Sequence, residues 1–154
     1  MRRSAVLSDS QIQQFVTDGF VRLESAFPRE LADQARTILW ADSGCREHDP
    51  ATWTRPVVRP GMYSQEPFVR AANTHVLHSA FDQLVGPERW FPRTDLGTFP
   101  IRFPSDQEPG DTGWHVDTSF PPEHGGEHDF MNWRVNINSK GRALLICFSS
   151  PTPA

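Results

Sequence analysis

The hydrophobic spacing changes part-way along this 154-residue chain, and that change limits the folds open to it. In three stretches before Gly86-Pro87 the apolar residues recur three and four apart, the spacing of helices with one buried face. Beyond that point they come in short runs between Pro, Gly and Asp, as strands do. Helices first and strands afterwards predict an α+β or barrel-with-helical-face architecture. The 14 Pro and 10 Gly suit short strands and shaped loops. At this length, with 37% hydrophobic residues, residues 1–154 are expected to form a single domain.

Ser8-Asp-Ser-Gln11 has the form of a capping box, and Ile12, Phe15 and Val16 continue it as a helix that Gly19 ends. Phe20 to Leu23 reads as a short strand. Pro28 starts a second helix, carried by Leu31, Ala35, Ile38 and Leu39 to about Trp40. Ala41 to Pro67 has little period and is expected as a long ordered loop around Trp53. A third helix is expected from about Asn73 to Val85. Strands are then expected at Leu96 to Phe103, Gly113 to Thr118, Trp133 to Ile137 and Ala143 to Phe148.

Charge and composition exclude several classes of function. A net charge of −4 without a basic stripe argues against a nucleic-acid partner. No run approaches the ~18 apolar residues of a membrane span, so no membrane association is expected. Met1-Arg-Arg3 is not followed by the apolar stretch of an export signal. Cys45 and Cys147 stand alone and are expected as reduced, buried thiols of a cytoplasmic protein.

The segment that carries chemistry is Asp111-Thr-Gly-Trp-His-Val-Asp-Thr-Ser119. On a strand, residues two apart share a face, so His115 and Asp117 project together and Val116 points away. An imidazole beside a carboxylate is two thirds of the 2-His-1-carboxylate facial triad, which leaves coordination positions open for an oxo acid and dioxygen. The bare triplet is weak, because His-x-Asp arises by chance in roughly one chain of this size in five to ten. A strand-end His and Asp bonded to each other is the plainer alternative.

Context adds to it. Leu7-Ser-Asp-Ser-Gln-Ile-Gln-Gln-Phe-Val-Thr-Asp-Gly-Phe-Val-Arg-Leu23 resembles the start of phytanoyl-CoA dioxygenase-like proteins. Gly113-Trp-His-Val-Asp117 is similar to the first metal-binding strand of that family, and Arg142-Ala-Leu-Leu-Ile146 to the apolar strand after it. The resemblance covers Leu7 to Ile146. It implies a double-stranded β-helix (a cupin-like jelly roll) behind N-terminal helices, with Fe(II) and 2-oxoglutarate as cofactor and cosubstrate. It implies a dioxygenase that hydroxylates a small organic substrate. His115 and Asp117 would be the metal ligands and catalytic residues, and Trp133 would line the cosubstrate pocket; Arg102, on a strand before His115, is a candidate to reach the oxo acid or an acidic substrate. For Arg102 a surface or ion-paired role, and for Trp133 a core position, are the alternatives.

The chain departs from the family pattern after Asp117. A distal His and the following Arg are not recognisable. Only His124 and His128 remain, in the loop Pro121-Pro-Glu-His-Gly-Gly-Glu-His-Asp129. The ending Phe148-Ser-Ser-Pro-Thr-Pro-Ala154 replaces the family's Phe-Ser-Asp, which suits a frameshift or deletion near Cys147. An incomplete jelly roll, inactive as it stands, is therefore expected, with self-association through unpaired strand edges. Two other readings stand beside it. One is a non-catalytic remnant or binding module of the same fold. The other is a cupin-like metal protein using His115, Asp117 and His124 or His128. Arg55, Arg59 and Tyr63 are candidates for covering a pocket, or are plain loop residues. His75 and His78 share a helix at a three-residue spacing that suits a metal only with further ligands.

Overall fold

The structure, a computed structural model, describes residues 5–113 and 144–147. These fall into two compact units, one comprising 5–109 and the other 110–113 with 144–147.

Helix α1 (Asp9–Asp18) forms where the capping box stands. The Gln11 N–H donates to Ser8 Oγ at 3.3 Å, and the Ser8 N–H donates to Gln11 Oε1 at 3.0 Å. Such a cap contributes about 1 kcal/mol by giving orphan helix donors a partner. Gly19, at φ 80°, closes the helix with its N–H on the Phe15 carbonyl. That left-handed conformation favours glycine. No residue of α1 is fully buried. Ile12 and Phe15 are half-buried, and Val16 is 71% exposed.

After α1, Val21 and Leu23 are half-buried between exposed Phe20 and Arg22. The alternation expected of a strand is there, but the segment joins no ladder among the described residues. It is a correction to the expected Phe20–Leu23 strand, because a strand needs a hydrogen-bonded neighbour as well as a period.

Helix α2 (Arg29–Ser43) starts after Pro28 and runs three residues past Trp40, to a Gly44 cap at φ 71°. Its buried contact is Leu31, and it packs on α3 (Glu66–Ala72). Helix α3 lies partly in the stretch expected to be loop. Seven residues are too few to show a period by eye, but the signals exist. Pro67 sits in the first turn, and Phe68, Ala71 and Ala72 follow three and four apart, all buried.

Helix α4 (His75–Val85) matches the expected third helix closely. Thr74 caps it, accepting from the Leu77 N–H at 3.3 Å and donating to the Ala26 carbonyl at 2.6 Å. Leu77, Ala80 and Phe81 form its buried face.

The expected strand at Leu96 to Phe103 appears as one side of an antiparallel ribbon. Its other side, residues 56–63, lies in the stretch expected to be loop. Strands β1 (Val57–Val58) and β2 (Ile101–Arg102) pair as Val57 with Arg102 and Val58 with Ile101. Tyr63 and Leu96 exchange both backbone bonds, at 2.7 and 2.8 Å, on the same register. Between and beside these, Phe99 N–H donates to Pro60 and Phe103 N–H to Pro56, at 3.4 and 3.0 Å. Pro56 and Pro60 return no bond because proline has no N–H, which is why the ladder is broken rather than continuous. At Gly97 the chains come close, and a Cβ there would stand 2.8 Å from the Met62 Cα.

Three aromatic groups fill the space between these elements. Tyr63 stacks on Phe68 at 4.6 Å, with Phe99 edge-on to both. Trp40, Trp53 and Phe103 pack mutually, their ring centres 5.3 to 6.3 Å apart. Phe81 and Trp90 meet edge-on at 5.2 Å. In the smaller unit, Leu144 and Ile146 are half-buried while Leu145 and Cys147 are exposed, but residues 144–147 form no strand among the described residues, unlike the strand expected at Ala143 to Phe148.

Candidate functional site

Arg102 is the candidate site residue that the described structure contains. It sits on β2 opposite Val57, with an exposed side chain, while Phe103 next to it turns into the aromatic core. His115, Asp117 and Trp133 lie outside the described residues, as do His124, His128 and Trp114. The approach to the His115 segment is described as far as Gly113. Gly110 and Gly113 have φ of 73° and 138°, conformations that side chains other than glycine rarely adopt. The glycine two residues before His115 is therefore required by the backbone.

Tyr63 belongs to the core. Its ring is buried between Phe68 and Phe99, and its hydroxyl hydrogen-bonds the Asp42 side chain. Burial first, then the bond to Asp42 and its negative charge, raise the Tyr63 pKa above the ordinary tyrosine value. Of the other candidates for covering a pocket, Arg59 donates from Nη2 to the Pro109 carbonyl at 2.8 Å, and Arg55 is exposed.

The His75 and His78 pair has no further ligand grouped with it among the described residues. His75 is exposed, whereas His78 is half-buried with its ring centre 4.5 Å from that of Trp90. Asn73 sets the role of His78. The Asn73 amide nitrogen donates to the Val69 and Arg93 carbonyls, both at 2.7 Å, so its oxygen faces the other way. That oxygen accepts from the Arg93 N–H at 3.0 Å and lies 3.2 Å from His78 Nε2, which must therefore be a donor. Among the described residues no group of three or more His, Cys, Asp or Glu is placed to hold a metal ion.

Two polar clamps tie segments together that no sequence motif marks. Asn73 fixes the connector after α4 at Arg93, and Trp90 Nε1 reinforces it by donating to Asp82 at 2.9 Å. Gln83 holds the amino-terminal segment. Its Oε1 accepts from the N–H groups of Val6 and Leu7 at 2.8 and 2.9 Å, and its Nε2 donates to the Leu7 carbonyl at 2.8 Å. Leu7 is 3% exposed beneath that clamp. The partners stand 8 to 77 positions apart, so no local pattern reveals them. The ion pairs of the helices, such as Arg36–Asp33 at 2.9 Å and Arg70–Glu66 at 3.1 Å, lie at the surface and add little.

Both cysteines are free; Cys45 is half-buried, and Cys147 is exposed rather than buried as expected. Among the described residues no helix is long and apolar enough to cross a membrane. Comparisons with family models, with curated proteins and with solved structures give no match to this chain.

Proposed function

We propose that this chain is related to the non-haem Fe(II)/2-oxoglutarate-dependent dioxygenases of the phytanoyl-CoA dioxygenase-like family. In this reading a double-stranded β-helix core stands behind N-terminal helices, and the substrate is a small organic molecule rather than nucleic acid or membrane. The observation that carries it is Gly113-Trp-His-Val-Asp117, an imidazole and a carboxylate two residues apart. The positive φ of Gly113 supports it, since the residue before Trp114-His115 has a backbone role of its own. The capped helix leading into Gly19-Phe-Val-Arg-Leu23 is further support.

Iron and 2-oxoglutarate, when bound, supply the oxidising chemistry. The chain's part is to bind and orient. His115 and Asp117 are assigned to the metal, and Arg102 and Trp133 to the cosubstrate. A guanidinium suits a carboxylate because it offers paired donors in one plane. The donor set fits the metal only in part, with two ligands recognisable where the triad uses three. Weak iron binding and no turnover are therefore expected of these 154 residues. Self-association through strand edges belongs to the same reading. It is supported by the β1–β2 ribbon, which carries no third strand among the described residues. A cytoplasmic location is supported by the two free thiols.

The test is anaerobic titration with Fe(II) and 2-oxoglutarate, followed by visible absorption, on the wild type and on His115→Ala. A weak charge-transfer band that His115→Ala abolishes is the expected result. No band from a chain shown to be folded by circular dichroism would overturn the assignment. Metal binding that is indifferent to 2-oxoglutarate but lost in His124→Ala or His128→Ala would point to a cupin-like centre instead. Succinate formation by the wild type would overturn the expectation of inactivity.

A further inference from the structure

We draw no further inference here: the strongest candidate, the surface patch around Phe91 (90% exposed) on the connector that Asn73 and Asp82 pin after α4, is an unpartnered apolar side chain, and nothing in the structure shows what covers it.

Discussion

Helices α1 and α4 begin alike and are held very differently. Each has a hydroxyl cap whose oxygen accepts from the third residue beyond it, and each ends at a glycine. Yet α4 buries Leu77, Ser79, Ala80 and Phe81, while α1 buries no residue fully. Caps decide where a helix starts and stops; neighbouring elements decide how strongly it is retained. In α1 the retention is displaced to Leu7, two residues before the first turn, and to the side chain of Gln83.

The contrast can be broken most forcefully from the packed side. Phe81→Ala in α4 should lower the unfolding free energy by about 3–5 kcal/mol in urea titrations, the range for a buried aromatic. Phe15→Ala in α1, at a half-buried site, should cost about 1 kcal/mol. Equal losses would show that α1 is retained as firmly as α4. Gln83→Ala comes next. It removes three hydrogen bonds to Val6 and Leu7 and should cost about 2 kcal/mol. Amide exchange at Val6 and Leu7 should quicken while that of α4 stays slow, and unchanged exchange would refute the clamp.

Ser79→Ala should act in the opposite direction. The Ser79 hydroxyl is buried without a hydrogen-bond partner among the described residues, so its removal should raise stability by about 1 kcal/mol in the same titration. A loss of stability would mean that the hydroxyl has a partner.

The smallest effect is a titration. Tyr63 is the one tyrosine of the chain, so ultraviolet absorbance reports it alone. Its midpoint should lie above the ordinary value near ~10, and Asp42→Asn should bring it down. The folded state binds the phenolic proton more tightly than the unfolded chain. Its contribution is thus complete below the ordinary tyrosine pKa and is lost as pH rises through the raised one. Tyr63→Phe should flatten that alkaline loss, and an unaltered profile would place its origin elsewhere.

What could be read in advance followed the range of each interaction. Ser8, Gly19 and Gly86 mark helix ends through bonds a few residues long, and those ends stand where expected. Helix α3 leaves little trace in the sequence because one buried face of seven residues barely repeats. A strand at Leu96 to Phe103 is legible in the sequence, but its partner is not. Pro56, Pro60 and Gly61 mask the period of residues 56–63, and only tertiary pairing reveals the register. Of the candidate site, His115 and Asp117 are legible as a spacing and lie outside the described residues. Tyr63 read as a loop residue because neither Phe68 stacking nor the Asp42 bond leaves a mark nearby in the sequence.

The reach of Gln83 also bears on the order in which the chain can close. Leu7 and its partner are 76 positions apart, so an amino-terminal fragment ending before residue 83 contains nothing that can grip the Leu7 backbone in this way. During synthesis the first turn of α1 can form early from its own cap, since that cap spans three residues. Its attachment must wait until most of α4 has been made. The cap of α1 can therefore form well before the residue that fastens Leu7 has been made.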